Sequence, residues 1–361
     1  MKTFDLSTAD APPRKKPGGR PPRGKRGRPK NALDGWIILD KPIGLTSTQA
    51  LGAVKRLLIP QKAGHAGTLD PLATGCLPLA LGEATKTVPY VVDGAKSYRF
   101  TLVWGAATDT DDADGTVIAT SDVRPTREAV DAALTQFVGE IMQTPPQYSA
   151  VKINGQRAYD LAREGERVEI KARPVTIDRL AIVDMDGDRL TLEADCGKGT
   201  YVRAIARDVG AALGTCAHVT ALRRTRVGPF READMVTLDE LAALAQDQPQ
   251  AAVDAHLLAP AAALSDVPRL AVDRIAASRL RRGQASLIRP DDAACIDATA
   301  DGHLMAVDGT ELVALCRAEH GELQPVRVFR SPRRRITVTA PQRPPVDGSE
   351  PQEGAEPQRT S

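Results

Sequence analysis

The chain is expected to adopt an α+β fold, an interleaved core followed by a small β-rich module starting near residue 266. Segments of period-two and of helical apolar spacing alternate through the first two thirds of the chain. Several strand-like segments follow one another between 167 and 197, and short strands return after a single helical segment at 273–282. With 361 residues, 42% hydrophobic and 26% charged, the chain has enough apolar material for a sizeable core and reads as globular.

Order is expected to begin at Trp36-Ile37-Ile38-Leu39, a short apolar run suited to a buried strand. Thr46 or Ser47 can cap a following helix, in which Leu51, Val54 and Leu58 recur at three- and four-residue spacing. Tyr98, Phe100, Leu102 and Trp104 share one face of a strand. Val130, Ala133, Leu134 and Phe137 mark a helix over 127–138. Strands are expected at 167–171, 174–183 and 188–197, the last two joined at Asp186-Gly187-Asp188. Gly199 to Arg203 ends that pattern, and a helix carrying Ile205, Val209 and Leu213 stops at Gly214. Thr237 and Glu240 have capping-box spacing ahead of Leu241 and Leu244. A helix over Asp273–Arg282 ends at Gly283 and leads into short strands reaching about Phe329.

The net charge of +2 conceals an asymmetry. Residues 1–33 hold ten Lys/Arg against two Asp, with six Pro, four Gly and little to bury, so a disordered basic tail is expected. It serves either as a solubilising tail or as an arm that attracts RNA. Residues 337–361 form a second low-complexity end of net charge −2, which leaves −4 for the middle. A polyanion would therefore be bound by local placement of charge on the body. Five scattered cysteines with no C-x-x-C pair argue for reduced thiols rather than a disulfide framework or structural zinc. No run approaches the ~18 apolar residues of a membrane span, and no secretory signal is evident, so a cytoplasmic protein is expected.

Nucleotide P-loops, zinc-protease, serine-hydrolase and dinucleotide signatures are absent. The acidic loop Asp109–Gly115 invites a calcium reading, but aligning its glycine puts Thr110 and Ser121 where carboxylates are needed. A solvated turn is the expectation there. The segment Gly64-His65-Ala66-Gly67-Thr68-Leu69-Asp70-Pro71-Leu72-Ala73-Thr74-Gly75 sets one carboxylate in a glycine-punctuated apolar loop. By spacing alone Asp70 reads as a turn residue, a helix cap or a catalytic group.

This segment resembles the catalytic motif of pseudouridine synthases in its GH-x-GTLDPLATG form, typical of the TruB family of bacterial tRNA pseudouridine-55 synthases. Four further segments resemble that family in the same order: Leu39–Ser47, Lys96–Phe100, Pro145–Lys152 and Cys196–Arg203. The matches extend over about residues 34–230. The resemblance implies the pseudouridine synthase core, with a central mixed or antiparallel sheet, at 34–260 and a PUA-like RNA-binding module at 266–332, flanked by disordered tails at 1–33 and 337–361.

The implied reaction breaks a uridine's N1–C1′ bond, turns the base in the pocket and joins C5 to C1′. As an isomerisation it calls for no cofactor and no metal. The resemblance makes Asp70 the essential aspartate, acting ionised, either attacking C1′ or removing a sugar proton. Arg203 would be its partner, since a nearby guanidinium favours the charged carboxylate and orients it. Tyr201, two positions earlier in a segment read as extended, would point the same way. Tyr98 matches the tyrosine that stacks on the target base and assists proton loss from C5; its phase alone reads as a core aromatic. His65 matches a residue stacking on the everted nucleotides, and Leu222 one lining the uracil pocket, with a plain core leucine as the other reading. Lys41 and Lys152 are expected near the cleft, as phosphate contacts or supports. Arg279, Arg281 and Arg282 are either phosphate contacts of the C-terminal module or a solvated face.

The expected partner is the T-arm and T-loop of tRNA, with no guide RNA, no membrane and a monomeric enzyme. Two other readings are a tRNA-folding chaperone that opens the T-arm without chemistry, and a general basic RNA-binding protein dependent on the N-terminal tail.

Overall fold

The computed structural model describes residues 30–149, 152–153, 156–157, 169–292, 296, 302–330 and 334–335; nearly all of both expected tails lies outside the described residues. Strand β1 (Gly35–Lys41) buries Trp36, Ile37, Ile38 and Leu39 completely, as a strand covered on both faces must. Helix α1 (Ser47–Leu58) starts at Thr46, whose hydroxyl accepts from the Gln49 N–H while the Gln49 carbonyl oxygen accepts from the Thr46 N–H. Of the two candidate caps Thr46 is therefore the cap. Ser47 turns inward to another task described below.

The chain continues through β2 (Ala63–His65), β3 (Ala73–Leu81), α2 (Val88–Asp93) and β4 (Lys96–Trp104). A hairpin of β5 (Ala106–Thr108) and β6 (Val117–Thr120) precedes α3 (Arg127–Leu134) and β7 (Gly139–Gln143). Then come β8 (Arg173–Asp186), β9 (Arg189–Cys196), α4 (Val202–Ala212), β10 (Ala217–Val227), β11 (Phe230–Arg231), β12 (Met235–Thr237), α5 (Leu238–Asp247) and α6 (Pro249–His256). Ten of these strands form one sheet in the order β12-β1-β3-β10-β4-β9-β8-β7, with β2 beside β3 and β11 beside β10. The β12–β1 and β3–β10 pairs are parallel and the others antiparallel, so the sheet is mixed.

Period-two alternation divides the sheet's two faces. Ile37, Leu39, Leu77, Leu79, Phe100, Leu102 and Leu192 pack with Val54 and Leu58 of α1 and Ile205 and Val209 of α4. Trp36, Ile38, Cys76 and Ala80 belong to a second cluster with Phe230, Met305, Leu315 and Phe329. Met305 and Leu315 come from a separate five-stranded sheet, and Phe329 directly follows its strand β17; the sheet comprises β13 (Arg269–Ala271), β14 (Ser286–Leu287), β15 (His303–Asp308), β16 (Glu311–Glu319) and β17 (Glu322–Val328), in the order β13-β15-β16-β17-β14. Helix α7 (Arg274–Arg281) packs Ala277 and Leu280 onto this sheet's own core. Arg281 is engaged by Asp308 and Glu311 at 3.3 Å each, while Arg279 and Arg282 donate within their own turn to Ala285 and Ser278.

Three expectations are corrected. Order starts ahead of Trp36: Asn31 and Leu33, read as part of the disordered tail, are buried, and Ala32–Leu33 is a short strand. The helix at 127–138 is α for eight residues and closes in a single tighter turn, Thr135–Phe137. The strand expected at 167–171 is missing from 169–171, residues 167–168 lying outside the described set. The edge of β8 that such a strand would need is taken by β7. Cys76, Cys196 and Cys316 are buried free thiols, pushed up to about 12 by burial; Cys295 lies outside the described residues. No helix among the described residues is long and apolar enough to cross a membrane.

Gly75 pins the parallel contact between β3 and β10. Its φ is +94°, and a Cβ there would meet the Arg224 carbonyl oxygen at 2.2 Å. Gly75→Ala is expected to cost on the order of 3 kcal/mol, from left-handed strain plus overlap with rigid backbone. An unchanged urea midpoint would show that β3 and β10 tolerate separation.

Candidate active site

The turn between β2 and β3 carries Asp70. Ser47 clamps its neighbour, donating to the Leu69 carbonyl at 3.1 Å and accepting from the Leu69 N–H at 2.8 Å. The Asp70 carbonyl accepts from Ala73 at 3.1 Å, and the Pro71 carbonyl accepts from Gly44 at 2.8 Å. Lys41, fully buried, donates to the Pro42, Leu45 and Pro71 carbonyls at 2.9, 2.7 and 3.4 Å. Burial lowers its pKa to about 8, partly opposed by the nearby Asp70 charge. Of its two expected roles, this geometry fits support of the loop rather than contact with phosphate.

The Asp70 side chain remains 40% exposed, and one of its oxygens lies 2.9 Å from Arg203 Nη2. Arg203 is 5% exposed and has four acceptors: Asp70, Asp112 at 3.3 Å, the Thr110 carbonyl at 2.8 Å and the Tyr148 carbonyl at 2.9 Å. A guanidinium held on several sides presents a fixed edge to the carboxylate. One helical turn further, Arg207 pairs with Asp111 at 3.0 Å and donates to the Thr144 carbonyl at 2.8 Å. Burial raises the Asp111 pKa, with Arg207 and Arg203 opposing.

The acidic loop is therefore not the solvated turn that its composition suggests. Asp112 is buried, Asp111 adopts a φ of +60°, and both carboxylates face arginines of α4. Among the described residues no group of three or more His, Cys, Asp or Glu is placed to hold a metal ion. The sequence signal overlooked was a pair of arginines four apart on a largely buried helix, which require carboxylates from somewhere.

Arg203 also departs from the expected extended segment. Tyr201 is extended and caps α4, while Arg203 lies in the helix's first turn. Both still line one cleft with Asp70, Tyr98, Leu222 and Arg224. Tyr201 is pinned by Gln143, whose amide accepts from its N–H at 2.8 Å and donates to its carbonyl at 3.1 Å, and the Arg173 guanidinium lies 5.3 Å from its ring centre. Leu222 is buried on β10 opposite Phe100, while Tyr98 on β4 stands opposite Arg224. Burial pushes the Tyr98 phenol above its ordinary value; the nearby Arg224 charge acts the other way.

His65 and Lys41 stand outside the lining of this cleft. His65 is half-buried on β2 with Nδ1 enclosed and unpaired, and burial lowers its pKa, with Arg224 adding to the effect. Lys152 begins a short ladder with Arg157, and its side chain lies outside the described residues. The cleft thus offers one carboxylate anchored on one side and open on the other, two aromatic rings and an apolar side chain. Such a set suits a planar base attached to a sugar.

Residues 55–202 match the N-terminal domain of TruB family pseudouridylate synthase, and residues 203–265 match the tRNA pseudouridylate synthase B C-terminal domain. The chain is 56% identical over 306 residues to the tRNA pseudouridine synthase B of Bradyrhizobium diazoefficiens, covering 84% of this chain and 87% of that one. It is 52% identical over 303 residues to the protein of the same name in Caulobacter vibrioides, covering 83% and 97%. Among solved structures it is similar to a chain in the crystal structure of a Cbf5-Nop10-Gar1 complex, with a TM-score of 0.63, 25% identity and coverage of 83% and 85%. The matches run through the mixed sheet, the turn bearing Asp70 and the helix bearing Arg203, and on them this chain belongs to the TruB family of pseudouridylate synthases.

Proposed function

We propose that this protein isomerises uridine 55 in the T-loop of tRNA to pseudouridine, as a cytoplasmic monomer that uses neither cofactor nor guide RNA. The observation that carries the reading is the Asp70 carboxylate, fixed by Arg203 at 2.9 Å and open to a cleft walled by Tyr98, Tyr201 and Leu222. Relatives named tRNA pseudouridine synthase B support tRNA as the substrate class.

The target uridine is everted into the cleft, because a stacked base cannot present its sugar to a side chain in a pocket. Asp70 acts on the ribose, either by attack at C1′ or by taking a sugar proton, and the N1–C1′ bond breaks. The freed base turns and bonds through C5 to C1′. C5 then gives up its proton, Tyr98 standing where it can assist, while N1 ends protonated. No atom is gained or lost. Leu222 and the Tyr98 ring confine the base during its rotation. The five-stranded C-terminal unit is assigned as a PUA-like module that grips the tRNA away from the reacting loop.

The direct test is nucleotide-resolution mapping of pseudouridine in a tRNA transcript incubated with purified protein and no additive. A single modification at position 55 is expected; an unmodified transcript overturns the reading. Deleting residues 1–29, which keeps the buried Asn31 and Leu33 in place, is expected to weaken tRNA binding and flatten its salt dependence, by about 0.7–0.9 in logarithmic slope for each phosphate that the tail neutralises. Modification stays at position 55, since the cleft selects it. Complete loss of binding on deletion would assign recognition to the tail and not to the cleft.

A further inference from the structure

Strand β10 turns Ala217, Val219 and Leu222 inward, and the next inward position holds Arg224, only 1% exposed. A guanidinium stripped of water needs its donors satisfied. Arg224 donates from Nε to the Cys76 carbonyl at 2.8 Å, from Nη2 to the Gly67 carbonyl at 3.1 Å and from Nη1 to the Thr68 carbonyl at 3.4 Å. Among the described residues no carboxylate lies within ion-pair distance of it, so carbonyl dipoles hold this charge without a counter-ion. Its cross-strand partner is Tyr98, on the same face of the sheet, and both line the cleft. Gly67 leaves room for this arrangement, because a Cβ there would sit 3.3 Å from Nη1.

We propose that Arg224 is a positioning residue for the isomerisation: one buried guanidinium holds the turn that carries Asp70 and stands against Tyr98 across the two strands, bringing an unneutralised charge beside the phenol. The proposal rests on the roles assigned above to Asp70 and Tyr98. Two of its hydrogen bonds end on residues two and three positions before Asp70, while Tyr98, its cross-strand neighbour, stands in the opposite wall of the cleft. A lysine keeps the charge but has no planar fork to span both. The two functions of Arg224 are therefore separable by substitution.

The test places 3-fluorotyrosine at position 98, whose lower intrinsic pKa brings the phenol into the protein's stable range, and follows its titration by fluorine NMR. Arg224→Met is expected to raise that midpoint by about one pH unit or more, as removal of a neighbouring cation demands. Arg224→Lys is expected to leave it within a few tenths of wild type. With the unlabelled proteins, single-turnover pseudouridine formation should fall at least about tenfold for Arg224→Lys and about 100-fold for Arg224→Met, as expected when positioning fails, with tRNA affinity within about threefold. If Arg224→Met does not fold, the lysine variant decides alone: wild-type single-turnover rates in Arg224→Lys overturn the proposal. An unmoved midpoint in a folded Arg224→Met overturns it as well. The titration needs no substrate, so wild-type protein that makes no pseudouridine would sink the functional reading while leaving the Arg224–Tyr98 coupling measurable.

Discussion

Asp70→Asn is expected to yield a folded protein that binds tRNA and does not turn it over. The side chain is 40% exposed, so its stability contribution is small, and asparagine retains an oxygen that can accept from Arg203. What disappears is the anionic oxygen proposed to attack the sugar or remove its proton. Phosphate contacts dominate affinity for nucleic acid, and Asp70 makes none in this reading, so binding is expected within about tenfold of wild type. Tritium release from tRNA carrying 5-tritiated uridine measures turnover directly and is expected to fall below detection. Normal release would strip Asp70 of its role. Full growth rescue of a synthase-null strain by Asp70→Asn would instead credit opening of the T-arm as the activity that matters.

Arg203→Met is expected to damage both stability and catalysis, for separable reasons. Asp112 is 6% exposed and relies on Arg203, so removing the guanidinium leaves a buried carboxylate without its cation. Such changes cost about 3–5 kcal/mol. Asp70 simultaneously loses its orienting partner, and a misplaced reacting group costs on the order of 10²- to 10³-fold in rate. The double variant Arg203→Met/Asp112→Leu removes both buried charges and should recover most of the urea midpoint, as expected for coupled sites. Its turnover should stay low, because Asp70 still has no partner. Recovery of turnover in the double variant would mean that Arg203 acts only through folding.

Much of the core was legible because its signals are local. The β1 run, the Thr46 and Thr237 caps, and the hairpin at Gly187 depend on residues within a few positions of one another. The site was legible through linear motifs that resemble a family, and Asp70 and Arg203 do meet in space although 133 positions apart in the chain. Asp111 and Asp112 were misread because clustered carboxylates in a short loop ending in Gly look solvated until the helix that buries them is known. Arg224 sat unread at an apolar phase of β10, where the sequence offers no clue to the three carbonyls that receive it.

By itself the amino-acid sequence determined the class of fold, several of its strands and caps, the family it resembles and the carboxylate proposed to carry the chemistry. Only the tertiary structure decided what holds that carboxylate: the Asp112–Arg203–Asp70 chain, the Ser47 and Lys41 clamps on its turn, and Arg224 beneath Tyr98. Local propensity and periodicity report on neighbours along the chain. Buried charges are satisfied by whatever distant dipoles and counter-ions the packed sheet brings within about 3 Å, and that matching is set by the whole fold at once.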